Sequence, residues 1–168
     1  MKRCFIINGY PMSGKDTFVN FIKDNTEYNV LNTSAVSKVK ELAMEIGWDG
    51  VTKGPKERKF LSDLKDLLDN FNKFSIRSIE DTIDYFYSDE CNYNLLFIHM
   101  RQPEDIEMIV DEFPEISTIF IHRDNHDSIN NHADANVENY EYDIHIRNNG
   151  TLDELKDIAL SFVHDYIF

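Results

Sequence analysis

Gly9-Tyr10-Pro11-Met12-Ser13-Gly14-Lys15-Asp16-Thr17 decides how this chain is read. It nearly matches the phosphate-binding pattern G-x-x-x-x-G-K-[ST], with aspartate in the hydroxyl position and threonine one place later. The flanks agree with the motif. Cys4-Phe5-Ile6-Ile7-Asn8 reads as a buried strand entering the loop, and Thr17-Phe18-Val19-Asn20-Phe21-Ile22 as the first turns of a helix leaving it. Such a strand–loop–helix unit lines up backbone N–H groups around phosphate oxygens, and the helix dipole adds positive potential. Lys15 is expected between the terminal phosphates of a bound nucleotide, and Gly9, Met12, Ser13, Gly14, Asp16 and Thr17 around them. Asp16 either complements the helix N-terminus or contacts a magnesium ion, with Thr17 supplying a hydroxyl.

Outward from the loop, helical and strand patterns alternate, which predicts an α/β fold with a parallel sheet covered on both faces. Strands are expected at about 3–8, 28–32, 94–100, 116–122 and 142–146. Helices are expected at about 14–24, 37–46, 56–71, 75–87, from Pro103, and from Thr151 to about Tyr166. Pro103 suits a first helical turn, and Thr151-x-x-Glu154 is a capping box. Phe60, Leu61, Leu64, Leu67, Leu68 and Phe71 form one apolar stripe on the helix at 56–71. The helices between the second and third strands read as an insertion beside the sheet, about 34–90. Residues 124–137 read as a polar lid loop. No linker interrupts the 168 residues, so one domain is expected.

The net charge of -14 and pI near 4.7 argue against nucleic-acid polymers and anionic membranes as partners. They leave room for a small anionic ligand if the few basic groups converge. No apolar run is long enough to span a bilayer, and no signal peptide is read after Met1. Two cysteines, one of them in the first strand, fit a reduced, cytoplasmic protein. His122, His126 and His132 with Asp124 and Asp127 have spacing too irregular for a zinc site; a loop closing over nucleotide fits better.

In open parallel sheets ligands bind at the carboxyl ends of the strands. Those ends place Arg101, Arg123 and Arg147 along one edge, and arginine forks to phosphate oxygens. Arg58 and Lys65 lie seven apart, on one helix face. Lys38 is a further candidate for holding an acceptor.

These motifs carry a family resemblance. Gly14-Lys15-Asp16-Thr17, Arg58, Arg101-Gln102-Pro103-Glu104 and the run from Tyr142 to Leu155 resemble nucleoside and deoxynucleoside monophosphate kinases of the P-loop kinase superfamily, phage-type enzymes in particular. The chain is also similar to small adenylate-kinase-like proteins. The resemblance implies a three-layer α/β/α fold with five parallel strands in the order 2-3-1-4-5. It implies ATP with Mg2+ on Gly9–Thr17, an acceptor between the insertion and the sheet, and acceptor or transferring phosphate held by Arg58 and Arg101. Arg123 would open the lid, and Asn149 and Gly150 would border the adenine. The pattern departs from the family where its third strand ends in D-x-R; here it is His99-Met100-Arg101, and the lid has no arginine. The activity expected is phosphoryl transfer from ATP to a small phosphorylated acceptor, first a (deoxy)nucleoside monophosphate. Another phosphorylated metabolite, or a nucleotide-binding regulatory module without turnover, is the alternative.

Overall fold

The interior position of the first strand follows from burial. Cys4 and Ile6 of the first strand face one apolar cluster, and Phe5 and Ile7 face a second on the opposite side of the sheet. A strand buried on both faces is apolar throughout, and a parallel sheet covered by helices makes that possible. A computed structural model describes residues 2–124 and 137–167. It contains β1 (Arg3–Asn8), α1 (Lys15–Asn25), β2 (Val30–Ser34), α2 (Ser37–Glu45), α3 (Pro55–Asn72) and α4 (Phe74–Tyr87). Then follow β3 (Leu95–His99), α5 (Pro103–Glu112), β4 (Ser117–His122), β5 (Ile144–Arg147) and α6 (Leu152–Tyr166). The sheet runs β2-β3-β1-β4-β5 with every pairing parallel.

Helices α1 and α6 cover one face with Phe18, Val19, Ile22, Leu155, Ala159 and Phe162. Helices α4 and α5 cover the other with Ile76, Ile79, Ile83, Phe86, Ile106 and Ile109. The expected three-layer α/β/α arrangement is therefore present. The expected lid, apart from its two ends, lies outside the described residues, as do His126, Asp127 and His132.

Three expectations shift for local reasons. The second strand lies two residues later than read, at Val30–Ser34. Ahead of it, the Thr26 hydroxyl accepts the Tyr28 N–H and the Asn94 side chain accepts the Asn29 N–H, so side chains replace the ladder there. β5 likewise starts at Ile144, because Asp143 spends its carboxylate on the Thr118 N–H and hydroxyl. The apolar stripe of α3 is not core. No residue of that helix is buried, and Phe71 is 82% exposed. Its inner side instead forms a wall of the cleft described next.

Candidate active site

β1 ends in Asn8, which is fully buried. Its Oδ1 accepts the Gly9 N–H at 2.8 Å, and its Nδ2 donates to the Arg101 carbonyl at 3.1 Å and the Tyr142 hydroxyl at 2.7 Å. One amide therefore fixes the start of the loop relative to the end of β3 and to the segment that leads into β5. Gly9 (φ 147°) and Gly14 (φ 96°) hold backbone shapes that side chains resist, and Met12 (φ 61°) turns left-handed at the exposed tip.

The base of the loop is clamped from the far side. Asn148 is buried, and its Nδ2 donates to the Ser13 carbonyl at 2.8 Å. A Cβ on Gly14 would stand 2.4 Å from that nitrogen. Lys15 folds back over the loop, donating to the Gly9 carbonyl at 2.7 Å and the Tyr10 carbonyl at 2.8 Å. Gly14 caps α1 with no side-chain hydrogen bond, as is also true of α2, α3, α4 and α5; among the described helices α6 alone has a side-chain cap, the Thr151–Glu154 box. The first amides of an uncapped helix require an acceptor, and an anion supplies one.

Beside the loop lies a cleft of about 630 Å³. Lys15 and Asp16 border it from α1, Lys40 from α2, Lys65 and Asp66 from α3, and His99, Arg101, Gln102 and Asp105 from the end of β3 and the start of α5. Lys40 was not singled out among the solvated lysines by its sequence context. Burial holds its ammonium below the usual lysine range, and the like charges of Lys53 and Arg101 add to this, opposed by Asp16.

The other expected acceptor residues divide. Lys65 borders the cleft but is bonded to Asp69 at 2.6 Å. Arg58 is exposed, donates its Nε to the Lys53 carbonyl at 2.9 Å, and is not in the cleft wall. Lys38 pairs with Glu41 at 2.6 Å and borders a neighbouring cavity instead. Spacing alone put Arg58 and Lys65 on one face, but the cleft follows only the Leu61–Asp66 stretch of it. Arg123 is exposed just beyond β4 and stands outside the cleft wall. Asn149 forms a paired contact with Asp124, accepting its N–H at 2.9 Å and donating to its carboxylate at 2.5 Å. Gly150 gives room to the capping Glu154, whose Oε2 would meet a Cβ at 2.0 Å.

His99 ends β3. Its Nε2 lies 2.9 Å from the Asn32 Oδ1 and 3.7 Å from the Asp16 carboxylate. Burial pushes its pKa down to about 4, with Asp16 opposing and Lys15, Arg101 and Lys40 assisting. At neutral pH the ring is uncharged, and its approach to Asp16 is a polar contact rather than an ion pair. The unfolded chain protonates this ring near 6.5 and the folded protein only near 4, so its share of stability is complete above the upper value and falls as pH drops through that window. The expected loss is about 1–3 kcal/mol. Chemical denaturation of wild type and His99→Gln between these pH values checks it: the wild type should lose more, and equal slopes would refute it.

Magnesium takes oxygen ligands and retains water. Asp16 and Thr17, both in the first turn of α1, are oxygen donors, and the Thr17 hydroxyl has no hydrogen-bond partner among the described residues. They fit that ion; the neutral imidazole of His99 does not.

The α/β/α fold that presents this loop and cleft recurs in solved structures. The likeness runs over nearly whole chains. Dephospho-CoA kinase from Campylobacter jejuni is 17% identical with TM-score 0.56, covering 98% of this chain and 97% of its own. A sugar kinase from Janibacter sp. is 13% identical with TM-score 0.55, covering 99% and 96%. Shikimate kinase from Aquifex aeolicus is 12% identical with TM-score 0.54, covering 96% and 98%. No family model matches the chain, and no curated protein matches its sequence. Among the described residues no helix is long and apolar enough to cross a membrane.

Proposed function

We propose that the protein transfers the γ-phosphoryl group of ATP to a small phosphorylated acceptor, a (deoxy)nucleoside monophosphate. One observation carries this reading. In a chain of net charge -14, Lys15, Lys40 and Arg101 reach from different parts of the fold into one cleft beside the loop. Two phosphate groups brought together repel each other, and converging cations offset that repulsion. The kinase names of the similar structures, with chemically different acceptors, support phosphoryl transfer to a small molecule.

In this reading the loop amides and Lys15 hold the β- and γ-phosphates and stabilise charge developing on the transferred group. Arg101 and Lys40 orient the acceptor phosphate for in-line approach. No side-chain base is required, because positioning and electrostatics supply most of the acceleration. Magnesium, held through Thr17 and Asp16, would neutralise charge on the ATP phosphates. Asn149, joined to Asp124, would form the edge of the adenine site with Gly150, and Arg123 would flank the donor phosphates. The expected partners are small-molecule nucleotides, without nucleic-acid polymer or membrane, in the cytoplasm; Cys4 and Cys91 are both buried and unbridged.

Lys40→Ala is expected to raise the acceptor KM about 10- to 100-fold, as loss of one charge-assisted phosphate contact does, with the KM for ATP unchanged. Initial rates with coupled ADP detection over a panel of nucleoside monophosphates measure this. Equal rises in both constants would remove Lys40 from the acceptor site. A regulatory module that binds nucleotide without turnover is the second reading. It is favoured by the neutral His99 at the end of β3, where the family pattern has an acid. Tight ATP binding with no ADP formed across the panel would select it.

A further inference from the structure

The cleft is electrically two-ended. Near the loop, Lys40 has Arg101, Lys53 and Asp16 as its charged neighbours, and His99 has Lys15, Arg101, Lys40 and Asp16. Cations dominate there. At the far end the charged neighbours of Asp105 are Lys65, Asp69, Glu104 and Lys73. Lys65 is already bonded to Asp69, whose other oxygen accepts the Ser75 N–H at the start of α4. Asp66 and Asp105 stand in the cleft wall; of the two cations near Asp105, Lys65 is held by Asp69, and Lys73 lies outside the wall with its Nζ on the Met108 sulfur at 3.9 Å. Asp105 is half-buried in the first turn of α5, and burial raises its pKa. A carboxylate there accepts hydrogen bonds and donates none.

An acceptor that matches both ends is anionic at one and hydrogen-bond-donating at the other. We propose that the acceptor is a guanine-type (deoxy)nucleoside monophosphate, with Asp105 the specificity-determining residue that accepts its ring N–H and amino group. This rests on the monophosphate-acceptor reading above. The chemistry separates the bases. Guanine places two donors side by side, matching the two oxygens of one carboxylate. Adenine and cytosine set an amino group beside a ring-nitrogen lone pair, and uracil and thymine set one N–H between two carbonyls. Each of these turns an acceptor towards a carboxylate oxygen. A phosphorylated metabolite carrying its own carboxylate would bring like charge against Asp66 and Asp105. A half-buried polar group rejects a ligand that leaves it unpaired more strongly than an apolar pocket rejects a poor fit.

Isothermal titration with GMP, AMP, CMP, UMP and 3-phosphoglycerate, on wild type and Asp105→Asn, tests this, with ADP formation followed in parallel. Wild type should bind GMP at least about tenfold more tightly than AMP or 3-phosphoglycerate. Asp105→Asn, which offers one donor and one acceptor, should bring the GMP/AMP ratio to about one or below, because an amide pairs with adenine. A wild-type ratio near one, tightest binding of 3-phosphoglycerate, or a ratio untouched in a folded Asp105→Asn protein overturns the inference. The two readings fail separately. Selective, Asp105-dependent GMP binding without ADP formation removes the kinase reading and keeps the guanine site. ADP formation with indifferent base preference does the reverse.

Discussion

Lys15→Met is expected to lower phosphoryl transfer by at least about 10³-fold while the protein stays folded. The Lys15 ammonium now rests on the Gly9 and Tyr10 carbonyls at 2.7 and 2.8 Å, at the mouth of the cleft. From there it can exchange carbonyl oxygens for phosphate oxygens without a large excursion. Methionine keeps most of the aliphatic stem and removes the charge, so packing changes little. The lost hydrogen bonds to two loop carbonyls predict a stability loss of about 1–2 kcal/mol. Turnover by coupled ADP detection and a thermal melt on the same preparation separate the two effects. Wild-type turnover in Lys15→Met would remove Lys15 from the chemistry.

Gly14→Ala is the second large effect, and it acts through the backbone. At φ 96° an L-residue is strained, and the added Cβ would lie 2.4 Å from the Asn148 Nδ2 that holds the Ser13 carbonyl. Relieving that overlap breaks the clamp between the loop and the β5–α6 turn. The expected cost is about 2–4 kcal/mol of stability, from strain together with an unsatisfied buried group. ATP affinity should fall by about tenfold or more as the loop amides lose alignment. Gly47→Ala is the control. Gly47 has φ 111°, but a Cβ there meets nothing within 4 Å. That variant should show the strain cost alone, with ATP affinity unchanged. Equal effects on ATP binding in the two variants would show that clamp and loop alignment are not coupled.

The loop was legible because its residues are constrained one by one. Two glycines take backbone shapes others resist, a lysine returns to the loop carbonyls, and apolar runs flank both. β3 was legible because a strand covered on both faces is apolar at every position, as Leu95–Ile98 are. The wall of the cleft was not legible. Lys40 sits in a run with Lys38 only two positions away, and nothing in the spacing says which of them turns inward. Arg58 and Lys65 obey the same helix period, yet the cleft wall takes in only Leu61, Ser62, Lys65 and Asp66 of α3, so only Lys65 reaches it. In the sequence Asn8 reads only as the end of a strand, and Asn148 only as part of the run from Tyr142 to Leu155. Their role depends on partners 134 and 135 residues away, contacts that local pattern cannot foresee. The stripe of α3, half-buried at Phe60, Leu61, Leu64 and Leu68 and exposed at Leu67 and Phe71, misled for the opposite reason: helical periodicity reports amphipathicity, not what covers the apolar side.

Phosphorus NMR of ATP, magnesium and GMP incubated with the protein tests the central claim most directly. The account predicts that the γ-phosphorus signal of ATP is replaced by ADP and guanosine diphosphate signals in equal amounts, and that Lys15→Met abolishes the change. ATP that stays intact, or is converted only to ADP and orthophosphate with each nucleoside monophosphate tried, would contradict it.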